Sequence, residues 1–172
     1  MYTEDAKTTG EERTEKNLAS VIEAAIDRRG WAYAWGTPGN RRRRVGTTIG
    51  LARTFGHPEL CVLGTNGPEG GGLLGAAVDL IRRETRLVPL QDYAGVIDGY
   101  PVRFKWVPEA YKQAWFFVNA DYFGGRFDML QLIWPDREGR FPGDPDCHPE
   151  CTRAQSLPDL DAPATPTERR FH

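Results

Sequence analysis

The sequence predicts an α+β fold, a single domain in which a mixed or antiparallel sheet packs with about three helices. Three observations support this class: some segments have helical periodicity, others are short apolar or alternating runs typical of strands, and few strand–helix–strand repeats occur. The 172 residues are 40% apolar and 27% charged, a composition that can bury one hydrophobic core.

The three predicted helices have apolar residues at intervals of three or four. The first begins at Asn17 and ends at Gly30, a residue that suits a left-handed C-terminal cap. The second runs from Leu73 to near Thr85. The third runs from 108 to about 123 and begins at a proline. Because its aromatic side chains occupy all sides, we expect this helix to be buried on most faces.

The predicted strands are short and separated by turn residues. A hairpin over residues 31–52 contains "WAYAW" and "VGTTIGLA", and the run 127–134, "FDMLQLIW", is almost wholly apolar, as in a central strand. Further strand candidates are "LCVLG", "RLVPL" and "YPVRFKWV". The ends are polar or proline-rich. We therefore expect residues 1–16 to be disordered, residues 17–142 to form the domain, and residues 143–172 to form an extended, partly disordered tail.

Composition excludes several functional classes. The net charge is −2 and the pI is about 5.9, so nothing general attracts the chain to nucleic acid or to acidic membranes. No apolar run approaches the roughly 20 residues that span a bilayer, and the hydrophilic N-terminus does not resemble a secretory signal. Three cysteines, an odd number, do not indicate a disulfide framework. We expect a cytoplasmic protein, and no motif calls for a cofactor.

Two motifs have the composition of a site but the wrong context. Gly70-x-Gly72-x-x-Gly75 has the spacing of a dinucleotide-binding turn, but five residues separate it from the preceding strand candidate, which favours an ordinary loop. "CHPEC" (147–151) offers two thiols and an imidazole, but no second pair of ligands completes a tetrahedral zinc site. We predict no metal site, and metal binding at this segment stays open.

Two other features indicate recognition of a ligand or a partner. An arginine run in the hairpin loop could bind an anion or an acidic partner through bidentate hydrogen bonds, although a solvated loop is the commoner case. Trp115 lies in the aromatic helix, where core packing is favoured over a pocket wall or a homodimer contact. The arginine run in the hairpin loop consists of Arg41, Arg42, Arg43 and Arg44. It lacks interleaved aromatic residues, which disfavours nucleic-acid binding.

His57 is the candidate catalytic base. Glu59 follows two positions later and could fix its tautomer if the two side chains face one another, although Pro58 interrupts the strand between them. The competing interpretation, which we favour, is that His57 satisfies backbone groups where a loop enters a strand. Cys61 has apolar surroundings that predict an inert buried thiol.

Two blocks of the chain resemble a known family. "VGTTIGLARTFGHPELCVLG" and "FDMLQLIWPDREGRFPGDPDC" are similar to the conserved blocks of a bacterial family of domains of unknown function, number 4262, over residues 30 to about 156. The resemblance implies a bacterial or phage origin and no established activity. A fainter similarity is to suppressor-of-fused-like domains, some of which act as immunity proteins. The positions that match motif residues are Gly56, His57, Pro58, Glu59, Gln131, Trp134, Pro135, Asp136 and Gly139.

The second block also has physical logic of its own. Gln131 is the polar residue inside an apolar strand, so its amide needs partners if it is buried. Trp134 is expected on the opposite face, and Asp136 suits a tight turn closed by Gly139. We further expect His57 and this corner to lie at neighbouring ends of the sheet.

Two hypotheses follow for function. The first is non-enzymatic binding of a protein partner or a small anionic ligand, in an immunity, regulatory or sequestration role, with Gln131, Trp134, Trp115 and the arginine run at the site. The alternative is a small hydrolase or transferase that uses His57 as general base, with Glu59 or Asp136 orienting it. We favour binding, because no complete set of nucleophile, base and orienting group is evident.

Overall fold

The structure of the protein, a computed structural model, describes residues 5–37 and 44–157, with side chains from residue 16 onward. These residues form six helices and six strands. In chain order they are α1 (Asp5–Arg29), β1 (Ala32–Gly36), β2 (Val45–Ile49), α2 (Leu51–Phe55), β3 (Glu59–Leu63), α3 (Gly67–Arg82), β4 (Tyr93–Ile97), β5 (Tyr100–Trp106), α4 (Glu109–Trp115), α5 (Phe117–Phe123), β6 (Met129–Ile133) and α6 (Pro149–Gln155).

The strands form one mixed sheet in the order β1-β2-β3-β6-β5-β4. β3 and β6 are parallel neighbours at its centre, and every other neighbouring pair is antiparallel. Both central strands are buried along their whole length, as the apolar run of β6 predicts. The predicted class, a single α+β domain with a mixed sheet, is confirmed, although the described residues contain more helices than expected.

Helices cover both faces of the sheet. α3 packs its buried residues Leu74, Ala77 and Val78 against one face. The opposite face is covered by α1 near β1 and β2, by α4 and α5 beside Phe127, and by α6 beside β3. Most of the apolar side chains are therefore removed from water in layers above and below the two central strands.

α3 begins at Gly67, within the segment expected to be a loop. The side chain of Asn66 caps it by accepting the backbone N–H of Glu69 at 2.8 Å. A Cβ on Gly70 would lie 2.9 Å from Tyr33 Oη of β1 and 3.2 Å from the Val62 side chain of β3, so this glycine lets the helix approach the sheet closely. The Gly70-x-Gly72-x-x-Gly75 pattern therefore lies inside a helix and does not form a phosphate-binding turn.

Other element boundaries also differ from prediction. α1 starts at Asp5, ahead of the expected start at Asn17, and α6 lies in the segment expected to be an extended tail. The aromatic helix is divided into α4 and α5 at Phe116, whose φ of −115° and ψ of 45° interrupt the helix. Phe116 is only 2% exposed, so burial of its ring accompanies the break.

The strand expected at "RLVPL" (86–90) is a loop, and the strand lies in the spacer that follows it. Leu87 alone of the segment joins the core, and Leu90 adopts a positive φ of 64°. β4 instead pairs with β5 through a hairpin in which Ile97 lies opposite Tyr100. The two residues between them are Asp-Gly, the strongest short hairpin signal, which the strand prediction overlooked.

Candidate ligand-binding site

His57 lies at the start of β3 with both ring nitrogens bonded to backbone. Nδ1 lies 2.8 Å from the carbonyl oxygen of Pro58, and Nε2 lies 3.3 Å from the backbone nitrogen of Leu87. Because Nδ1–H donates and Nε2 accepts, the ring is held as one neutral tautomer. Burial lowers the pKa of His57, which is 5% exposed. The lone pair that a general base needs is occupied.

Glu59 binds the start of α2, and none of the hydrogen bonds of its carboxylate in the described structure goes to His57. Its carboxylate accepts the backbone N–H groups of Gly50 and Ala52, each at 3.1 Å, and the hydroxyl of Thr48 at 2.7 Å. Burial raises the pKa of this carboxyl to about 7 in spite of these donors. The side chain is fully buried and organises the turn between β2 and β3.

His57 and Asp136 lie at opposite ends of the sheet, so the expectation that they converge is wrong. In the parallel pair β3–β6, Cys61 lies opposite Gln131. His57 precedes Cys61 and Asp136 follows Gln131, so the two are roughly 20–30 Å apart along the strand direction. Asp136 therefore cannot orient His57, and the proposed catalytic set is not assembled.

Asp136 organises the turn after β6, as a structural role predicts. Its Oδ1 accepts the backbone N–H of Glu138 at 3.0 Å and of Arg140 at 2.9 Å. Its Oδ2 accepts the N–H of His148 at 2.9 Å and the guanidinium of Arg140 at 3.1 Å. Burial opposes the charge, but these donors outweigh it and lower the pKa of Asp136 to about 2. Gly139 takes a φ of 79° in the turn, as expected.

The other predicted binding residues are placed as follows. Trp134 packs against the core on the α3 side and donates its indole N–H to the carbonyl of Leu63 at 3.2 Å. Trp115 packs, partly buried, on the opposite face. Arg41, Arg42 and Arg43 lie outside the described residues, and Arg44 is exposed at the start of β2.

The "CHPEC" segment does not hold three metal ligands together. His148 caps α6 by accepting the backbone N–H of Glu150 at its Nδ1, 3.2 Å away. Across the described parts of the chain, 5–37 and 44–157, no group of three or more His, Cys, Asp or Glu side chains is arranged for a metal ion. Cys147 and Cys151 are both buried and free.

A row of polar side chains crosses the centre of the sheet on the face opposite α3. Strand register places Thr47 opposite Cys61, Cys61 opposite Gln131, and Gln131 opposite Lys105. Residues in register on neighbouring strands project to the same face, so the four belong to one line across β2, β3, β6 and β5. We call this line the polar row.

Gln131, in the middle of the polar row, is fully buried and half satisfied. Its Nε2 donates to the backbone carbonyl of Gln155 in α6 at 2.7 Å. Its Oε1 has no hydrogen-bond donor in the described structure. A buried acceptor without a donor costs about 1–3 kcal/mol, so this oxygen marks a place where a donor is needed.

Lys105, at the end of the polar row, is half-buried and carries no counter-ion among the described residues. Burial lowers the pKa of its ammonium, while the thiol of Cys61 acts weakly in the opposite direction. In the same way, burial raises the pKa of Cys61, which stays a neutral thiol. The polar row thus combines an unpaired cation with an unpaired acceptor on adjacent strands.

Sequence reasoning found Gln131 and missed Lys105. In "YPVRFKWV" the lysine alternates with apolar residues, a pattern typical of a strand with one solvated face. The pairing of β5 with β6, which is not local in sequence, shows that Lys105 lies next to the buried glutamine.

Comparison with known proteins assigns the chain to a family. A family model described as a domain of unknown function (DUF4262) matches residues 25–148. The chain belongs to the DUF4262 family. The segment that matches DUF4262 contains the polar row and the six strands β1 to β6. The helix α6 lies past its end. No curated protein and no solved structure matches, and the similarity to suppressor-of-fused-like domains is not shown.

A membrane-spanning helix is also absent from the part of the DUF4262 chain that the structure describes. None of its helices is both long and apolar enough to cross a bilayer.

Proposed function

We propose that this protein is a non-enzymatic binding domain for a small anionic ligand, held at Lys105 and Gln131. The observation that carries the proposal is the pairing, on adjacent strands, of a half-buried ammonium without a counter-ion and a buried amide oxygen without a donor. A carboxylate that also carries a hydroxyl or amino group complements both, since its charge faces Lys105 and its donor faces Gln131.

The catalytic alternative has less support. His57 is fixed by two backbone contacts, and the carboxylates proposed to orient it are engaged elsewhere. Each of these side chains has a complete structural role, which favours the binding hypothesis over hydrolysis or group transfer.

The experiment compares two small acids of nearly equal size. Glycolate has a hydroxyl donor beside its carboxylate, and acetate has none. We expect isothermal titration or NMR titration of the purified protein to show tighter binding of glycolate, by about tenfold, the value of one satisfied hydrogen bond of 1.4 kcal/mol. Equal affinity for both acids would show that Gln131 does not bind the hydroxyl group of the ligand.

Matched variants identify the residues. Lys105→Met keeps the aliphatic stem and removes the charge, so it should weaken both acids, whereas Gln131→Met should abolish the preference for glycolate. Lys16→Met makes the same replacement on an exposed residue of α1 and should leave both affinities unchanged. Binding that survives Lys105→Met would refute the proposed site.

A second candidate is a protein partner at an apolar surface beside β5. Leu90 is 84% exposed and Trp106 is 53% exposed. The backbone N–H of Leu90 bonds the carbonyl of Phe104, two residues from Trp106, so the two side chains lie on neighbouring segments. Exposed aromatic and aliphatic side chains of this kind are typical of protein contacts. If they form one, Trp106→Glu should abolish capture of a partner without changing glycolate affinity.

A further inference from the structure

Two of the three cysteines lie side by side at the start of α6. Cys147 is in the preceding loop and Cys151 is in the first turn, and Cys147 is near enough to be one cause of the raised pKa of Cys151. The Cys147 thiol donates to the carbonyl of Arg140 at 3.5 Å, and the Cys151 thiol to that of Trp134 at 3.8 Å. These weak bonds hold both sulfur atoms in place against the turn after β6.

We propose that Cys147 and Cys151 form a reversible disulfide, a thiol–disulfide modification site that links the loop after Phe141 to α6. A disulfide requires Cα atoms roughly 4–7 Å apart, and two thiols held against the same turn at the start of a helix can meet by side-chain rotation. The pair is 9% and 6% exposed, and the three residues between the cysteines are exposed, so local opening of this segment would admit a small oxidant. This inference does not depend on the anionic ligand.

The oxidation is balanced with hydrogen peroxide as the oxidant. The sulfur of Cys147, as thiolate, attacks one peroxide oxygen, the O–O bond breaks, and a sulfenic acid and hydroxide form. The sulfur of Cys151 then attacks the Cys147 sulfur, the S–S bond forms and the S–O bond breaks. The released oxygen and the hydroxide take up the two thiol protons, so two thiols and one peroxide give one disulfide and two waters.

The surroundings of Cys151 indicate that it is the thiol that reacts second, with the oxidised sulfur of Cys147. Burial and the neighbouring Cys147 raise the pKa of Cys151 to about 11, so it is a thiol at neutral pH and acts after Cys147 has been oxidised. The sulfur also accepts the side-chain amide of Gln155 at 3.2 Å. The backbone carbonyl of Gln155 in turn accepts a hydrogen bond from the side chain of Gln131. The disulfide would therefore hold α6 in place over the polar row.

The test uses the full, reduced protein treated with hydrogen peroxide. Denaturation in N-ethylmaleimide, tryptic digestion and mass spectrometry then report each thiol separately. Both cysteines lie in one tryptic peptide, 141–153, and Cys61 lies alone in 54–82. We expect the first peptide to lose two hydrogens and take up no maleimide, and dithiothreitol to restore it. Cys61 is fully buried and should react at least about tenfold more slowly.

Single replacements separate this reaction from random oxidation. Cys61→Ser should still form the disulfide at the same rate, whereas Cys147→Ser and Cys151→Ser should not lose two hydrogens. If the serine variants fail to fold, the wild-type and Cys61→Ser digests alone decide. Survival of both thiols while Cys61 oxidises, addition of oxygen without loss of hydrogen, or a disulfide between two chains would each overturn the proposal.

Discussion

Replacing Glu59 by glutamine should change how the stability of the protein depends on pH. Burial raises the pKa of this carboxyl from 4.5 to about 7, so the folded state holds a proton that the unfolded state releases between these values. At about 1.4 kcal/mol per pKa unit, the carboxyl contributes about 3 kcal/mol that is fully present below pH 4.5 and lost as the pH rises to 7. Glu59→Gln lacks this loss because the amide does not ionise.

The geometry makes glutamine a fair substitute for the protonated acid. Its Oε1 can keep the N–H groups of Gly50 and Ala52, and its amide can donate to the hydroxyl oxygen of Thr48, where the protonated carboxyl would donate. Glu59→Gln should therefore lie within about 1 kcal/mol of wild type in free energy of unfolding near pH 5. It should exceed wild type by up to about 3 kcal/mol at pH 8.

Urea denaturation followed by far-UV circular dichroism at pH 5, 6, 7 and 8 measures this difference directly. Glu84→Gln, at an exposed carboxylate, is the control, and its difference from wild type should stay flat with pH. A Glu59→Gln variant that is less stable than wild type by the same amount at every pH would refute the reasoning. That result would mean that the three donors around the carboxylate outweigh its burial.

Two further predictions concern residues whose roles the structure assigns to packing and turn formation. Gly70→Ala should lower the free energy of unfolding by about 1–3 kcal/mol, because its Cβ would lie 2.7 Å from Thr65 Oγ1 and 2.9 Å from Tyr33 Oη. Gly72→Ala, in the same helix with nothing within 4 Å, should instead stabilise the protein by about 0.5–1 kcal/mol in the same urea titration; a destabilised Gly72→Ala would contradict the assigned helix. Asp136→Asn should lower the urea midpoint at pH 7, because an amide cannot accept all the donors that hold the pKa of Asp136 near 2. Its deficit should shrink as the pH falls from about 4 towards 2 and the wild-type carboxylate is protonated, while Asp146→Asn, at an exposed position, should show no deficit at pH 7.

Local patterns predicted much of the fold. The apolar run 127–134 identified the central strand, and the helical spacing around Leu74 identified the helix on one face, because burial sets both patterns. The errors came from competing local signals. Glycines between 67 and 75 indicated a loop, yet they permit a close helix–sheet contact that depends on Tyr33 and Trp35 in a distant strand.

The candidate site was less predictable because it depends on strand register. Period-two alternation shows which residues of β5 and β6 share a face, but not that Lys105 lies opposite Gln131. Likewise, the two sequence blocks that resemble the family form the adjacent strands β3 and β6, but His57 and Asp136 lie at opposite ends of this pair. Only the parallel direction of β3 and β6 separates His57 from Asp136.

That separation also bears on the ligand site that we propose at the polar row. The polar atoms of His57, Glu59 and Asp136 are bonded within the chain at the two ends of the central strands, so a ligand would have to displace existing hydrogen bonds there. Between these ends, on the part of the sheet that the structure describes, Gln131 has an acceptor with no donor and Lys105 has a charge with no partner. Binding at the polar row would satisfy groups that folding leaves unsatisfied, and because Gln131 is fully buried beneath Gln155, it would require α6 to move.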